Sequence, residues 1–171
     1  MTSMRYIGVI ILLLCGQIFA KCDTLSTYDI EKLFKQNVPT RMFFSHVPRG
    51  LVVSFDMDTF FDLNNEKIKC ESLCILNEIG NVINQLDYNV VVEGHSQNDF
   101  LQNYLSMENW EISLVRANNI TKYLMRYVNV SPQKVFTVGF GEFMPFSKKT
   151  IDNRKLDSRI DFVILDYEAK R

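Results

Sequence analysis

The sequence predicts an α/β (α+β) two-layer sandwich on a mixed sheet, and three observations carry that prediction. A nearly uninterrupted valine run at residues 89–93 reads as a strand buried on both faces, which belongs at the centre of a sheet. Two segments repeat apolar residues at helical period: Ile68, Ile75, Ile79, Val82, Ile83 and Leu86 before the run, and Trp110, Leu114, Ala117, Leu124 and Val128 after it. Further β-branched or aromatic runs, LVVSFDMDTFF, KVFTVGFG and the stretch 159–165, supply strands. The order is β, α, β, α, β, loop, β, with helices on one or both faces of the sheet.

Taken along the chain, residues 24–38 form a short amphipathic helix with Leu25, Tyr28, Ile30, Leu33 and Phe34 near one side, stopped by Pro39. Pro48, Arg49 and Gly50 punctuate the approach to the first strand of the main domain. Asn64 and Asn65 precede the first sheet-covering helix, with Cys70 and Cys74 off its apolar stripe. These two cysteines are either reduced thiols or, in an oxidising compartment, a pair whose helical spacing makes a disulfide awkward. After the valine strand and a polar loop comes the second helix, about 110–128, with Arg116 on a flank away from the stripe. Ser131 and Pro132 end the connection, and glycines 139 and 141 close the next strand. A long loop with Pro145 leads to a last strand whose charges gather at its start.

A chain of 171 residues, 47% apolar, has room for one domain of about 120–150 residues once its N-terminus is set aside. Its net charge of −1 hides no long basic or acidic block, which argues against nucleic acid. The basic group Lys148, Lys149, Arg154, Lys155 and Arg159 reads as a solvated loop, with contact to an anionic glycan as the alternative. Arg5 before an apolar run from Tyr6 to Ala20 has the design of a signal peptide at 1–20. A retained membrane anchor is the alternative, against which stands the run's shortness compared with the roughly 20 residues of a bilayer span. A lipid anchor is a third, though neither Leu14 before Cys15 nor Lys21 before Cys22 is the small residue such processing uses. The expected division is 1–20 signal peptide, 21–48 N-terminal extension, 49–166 main domain and 167–171 tail.

Five separated blocks resemble one family. They are Arg49-Gly50-Leu51 with VVSF, then Glu93-Gly94-His95, Asn109-Trp110-Glu111 with Ser113, Arg116 and Ala117, Gly139-Phe140-Gly141-Glu142 with Pro145, and Thr150, Arg154 and DSRID at 157–161. In order and spacing they resemble the OmpA-like C-terminal domain family, closest to its MotB-type version. The resemblance implies an OmpA-like βαβαββ domain with a mixed sheet. It also implies binding to the diaminopimelate part of the peptidoglycan stem peptide, in the periplasm or facing it from the outer membrane. An aspartate after the Gly-His pair takes the ligand's ammonium in that family, and the helix arginine takes a carboxylate, a group that guanidinium can clasp with two hydrogen bonds.

Arg116 stands at the arginine position, with an ion pair to Glu111 or Glu93 as its other reading. Gln97 occupies the aspartate position and brings an acceptor without charge, while Asp99 offers an anion two residues on. Asn109 is a helix N-cap that can also line the pocket. Arg159 either holds its strand or contacts ligand, and His95 fixes the loop. Glu93 and His95 point the same way on a strand, yet His46 is the only other histidine, so no catalytic residue, metal or cofactor is expected. The expected function is a non-catalytic peptidoglycan-binding tether of the cell envelope or of an envelope-spanning machine. The alternative is the same fold with a degenerate ligand site, serving as a protein-protein module in a secretion or motility complex.

Overall fold

The computed structural model describes residues 25–62, 65–96, 108–146 and 157–166, so the predicted signal peptide, the predicted tail, Gln97 and Asp99 lie outside the described residues. The elements run α1 (Thr27–Asn37), β1 (Phe43–Val47), β2 (Gly50–Asp56), α2 (Leu73–Gln85), β3 (Asn89–His95), α3 (Asn109–Tyr127), β4 (Val135–Gly139) and β5 (Arg159–Leu165). The five strands make one mixed sheet in the order β1-β2-β5-β3-β4, in which only β3 and β4 pair in parallel.

Helix α1 starts on a reciprocal cap. Ser26 Oγ accepts from the Asp29 N–H at 3.3 Å, and the Asp29 carboxylate accepts from the Ser26 N–H at 3.2 Å. Ile30 and Phe34, one turn apart, are fully buried, and Pro39 keeps Val38 extended and stops the helix. Glu31 reaches across to His46 on β1 at 2.7 Å, and Tyr28 stacks on the same imidazole. The segment read as an N-terminal extension therefore contributes a helix to the core and a strand to the sheet. The expected boundary at 48/49 falls inside the β1–β2 hairpin, where Val47 faces Gly50. FFSHV is short and half exposed at the sheet edge, which is why its pattern gave no strand signal.

Helix α2 begins later than its periodicity suggested. Ile68 is drawn into a bridge with Phe61, and the Lys69 N–H donates to the Phe60 carbonyl, so a 3-10 turn at Cys70–Ser72 precedes the helix proper. Cys70 and Cys74, off the buried stripe as expected, are exposed free thiols.

Helix α3 lies against β3 and β4 at backbone contact. A Cβ on Gly94 would sit 2.1 Å from the Ser113 carbonyl oxygen, and one on Gly139 would sit 2.5 Å from Leu114 Cβ, so both positions admit only glycine. This approach rotates the buried side of α3 to Ile112, Ser113, Arg116, Ala117, Ile120, Thr121 and Leu124. Trp110, placed on the stripe by periodicity, is 45% exposed.

Strand alternation sorts the sheet into two faces. Leu51, Val53, Phe55, Val90, Val92, Ile160, Phe162 and Ile164 join the buried residues of all three helices in a single core, so the helices cover one face. Ser54, Glu93, His95, Arg159 and Asp161 occupy the other face and are buried too. The central strand is β5 rather than the valine-rich β3, which sits one place off centre. Among the described residues no helix is long and apolar enough to cross a membrane.

Candidate functional site

The carboxyl end of β3, the start of α3 and the turn after β4 converge at one end of the sheet. The Phe140 N–H donates to the Gly94 carbonyl at 2.9 Å and the Ser96 N–H to the Gly141 carbonyl at 3.2 Å. Ser113 Oγ ties the helix in, accepting from the Gly141 N–H at 2.9 Å and donating to the Trp110 carbonyl at 2.8 Å.

Glu108, rather than Asn109, is the N-cap of α3, and its N–H donates to Glu111 Oε2 at 2.9 Å. Asn109 is the first helical residue, with Nδ2 3.5 Å from Glu142 Oε2. Two turns on, Arg116 is not on an open flank: it is 1% exposed, the largest fully buried side chain among the described residues. Its Nε donates to the Asn65 carbonyl at 3.3 Å, and its guanidinium lies 5.6 Å from the Phe61 ring centroid. Asn119, nearly one turn further, donates to the Glu66 carbonyl at 2.8 Å, so α3 also holds the segment at 65–66. Neither suggested ion pair of Arg116 is formed, since Glu111 serves the helix cap and Glu93 takes Arg49 in a two-pronged contact at 2.7 and 3.0 Å.

Arg159 belongs to a different neighbourhood. In register with His95 on the face turned from α3, it gives Nε to Asp161 Oδ2 at 2.9 Å and an Nη to the Met144 carbonyl at 3.1 Å. Its guanidinium also lies over the Phe146 ring. Beside it, His95 Nε2 is 3.2 Å from Asp161 Oδ2 and 3.9 Å from Glu93 Oε2, close in charge but without the alignment of a hydrogen bond. The His95 ring stacks on Phe140. Burial pushes the Asp161 carboxyl up, but the approach of His95, the Arg159 charge and Ser54 outweigh it and hold the group below its ordinary value.

The structure thus brings Asn109 and Arg116 to one side of α3 and keeps Arg159 on the opposite sheet face. Sequence reasoning missed Phe61 and Asn65, which seat Arg116, and Asp161 as the neighbour of Glu93 and His95. The β3–β5 register puts Glu93 opposite Asp161, and no local pattern announces a pairing so distant in sequence.

Residues 60–159 match the OmpA family, and the chain belongs to that family. It is similar to Motility protein B of Bacillus subtilis, 28% identical over 142 residues that cover 81% of this chain and 52% of the relative. The chain spans about half the length of the curated relatives it matches. Among solved structures it resembles the periplasmic domain of Helicobacter pylori MotB, with a TM-score of 0.66, 17% identity and coverage of 75% of this chain and 85% of that one. It also resembles the cell wall anchor of the T6SS from Pseudomonas aeruginosa, with a TM-score of 0.67, 17% identity and coverage of 80% and 96%. At such identities the structural likeness establishes the fold.

Proposed function

We propose that this chain is a non-catalytic envelope protein that holds peptidoglycan without a covalent bond, its OmpA-like domain facing the periplasm. The observation that carries the reading is Arg116: a buried guanidinium, seated on Phe61 and Asn65 within the family's matched block. A cation fixed in this way meets a carboxylate with little ordering cost. The ligand proposed is the diaminopimelate of the stem peptide, its carboxylate toward Arg116, its ammonium toward Gln97 or Asp99, and Asn109 at the helix start. Arg159, on the opposite sheet face, holds the Met144 carbonyl in the stretch that follows β4. The relative described as a cell wall anchor and the motility relatives favour a role as tether or as part of an envelope machine.

Sedimentation with purified sacculi tests the reading. Wild type is expected to pellet with sacculi, and Arg116→Ala to remain in the supernatant. Equal pelleting of the two would remove the proposed site, and no pelleting of wild type would remove the function. Gln97→Asp is expected to tighten the interaction about tenfold, the gain from exchanging a neutral for a charge-assisted hydrogen bond.

A second reading, a protein-protein module in a secretion or motility complex, draws on the exposed Trp110, Phe143 and Met144 near the same end of the sheet. In-cell crosslinks that survive muramidase digestion would favour it, whereas release by muramidase favours the wall.

A further inference from the structure

We propose that Glu93, His95 and Asp161 form a site for a borderline divalent transition ion of the zinc type, on the sheet face turned away from the helices. Each residue offers one ligand atom, and those atoms all lie within 4.8 Å of one another. The His95 Nε2 separations of 3.2 Å to Asp161 Oδ2 and 3.9 Å to Glu93 Oε2 bracket the roughly 3.4 Å between ligands of a tetrahedral ion with bonds of about 2.0–2.2 Å. Spacing alone would not make a site. The second observation is that all three side chains are more than nine-tenths buried, while both His95 ring nitrogens and Asp161 Oδ1 have no hydrogen-bond partner among the described residues. Such groups are costly to leave unsatisfied, and His95 Nε2 is aimed into the space between two carboxylates.

The donor set selects the ion. One imidazole nitrogen and two carboxylate oxygens suit zinc and its neighbours, whereas calcium requires six to eight oxygens and soft cuprous ion prefers sulfur. This is a site that ties the carboxyl end of β3 to the start of β5, and it is independent of whether the wall is bound. The two arginines are its competitors. Arg159 is buried and engaged with the Met144 carbonyl as well as Asp161, so it stays as a fixed neighbour. Arg49 has a side chain 43% exposed and can swing into solvent, releasing Glu93 to the ion. Arg49 therefore limits the affinity, and its removal strengthens metal binding although it takes away an ion pair.

The test is a Co2+ titration of the full-length chain, followed through the visible absorption of four-coordinate Co2+ and its displacement by Zn2+. Thiols are alkylated first, because the exposed Cys70 and Cys74 bind the same ions. Wild type is expected to develop a saturable band at a single equivalent, Arg49→Ala to do so at about tenfold lower Co2+, the scale of one charge-assisted hydrogen bond, and His95→Asn to lose it. His46→Ala, which removes the other histidine, is expected to leave the band unchanged. Absence of a band in both wild type and Arg49→Ala overturns the proposal, as does a band that persists in folded His95→Asn or vanishes in His46→Ala. Should His95→Asn not fold, Arg49→Ala decides: unchanged or weaker affinity overturns the site.

Discussion

Asp161 and Phe162 are neighbours on the central strand, buried alike, and point to opposite faces of the sheet. Phe162 meets Phe55 and Phe60 edge-on, with ring centroids 5.6 and 6.4 Å away, inside the helix-covered core. Asp161 meets His95 and Arg159, and through His95 the Glu93–Arg49 pair. One face is held by apolar area alone, which is indifferent to proton concentration, and the other by Val52 and Val163 together with a buried charge network, which is not. Burial alone therefore does not define the core of this domain; the two faces should answer differently to mutation and to acid.

The largest effect is expected at the apolar face. Phe162→Ala should cost about 3–5 kcal/mol in denaturant unfolding, because it removes a ring from a closed aromatic cluster and leaves a cavity. A cost near that of a surface substitution would mean that the helix layer does not depend on this cluster. Next comes Asp161→Asn, expected to cost about 3 kcal/mol by removing a buried negative charge from beside the Arg159 guanidinium. Should it prove neutral, the charged face contributes nothing net and the comparison collapses.

Acid separates the two faces further. The Asp161 carboxyl titrates below its ordinary value in the folded chain. Its contribution is therefore complete above the unfolded value, about pH 4, and is lost as pH falls through the folded one. Wild type should lose stability along that limb, Asp161→Asn should show a shallower limb, and Phe162→Ala should keep the wild-type slope from a lower starting point. Parallel acid curves for all three proteins would show that another group controls acid unfolding.

The same contrast explains how far the sequence could be read. Apolar runs and periodicity disclosed β2, β3, β4, β5 and all three helices, since those patterns follow from burial of one face or of both. They left out the order of the strands in the sheet and the one strand whose burial is partial. β5 was read over its full length, but as a last strand with charges at its start, whereas Arg159 and Asp161 lie in the middle of the sheet, where they meet His95 and Glu93. β1 went unread because an edge strand keeps half its surface in water. Arg116 was picked out by the family resemblance, but its burial was not legible: a charge at helical spacing reads as solvent-facing until Phe61 and Asn65 are folded against it. Gly94 and Gly139 were visible as strand punctuation, whereas their use, bringing α3 down to backbone contact, needed the register of two strands and a helix.

The smallest effect is expected at the rim of the charged face. Arg49 clasps Glu93 with both prongs, but its side chain is 43% exposed, so solvent already screens the pair from one side. Arg49→Ala should therefore cost about 1–2 kcal/mol, above the range of exposed pairs because Glu93 is buried, and that loss should shrink in high salt. Asp161→Asn, whose partners are all buried, should show no comparable salt dependence. The difference in salt response is more telling than either cost. If Arg49→Ala cost as much as Asp161→Asn and neither loss answered to salt, then Arg49 would be part of the buried network rather than its movable outer member, and Glu93 would have no route to exchange that partner for another cation.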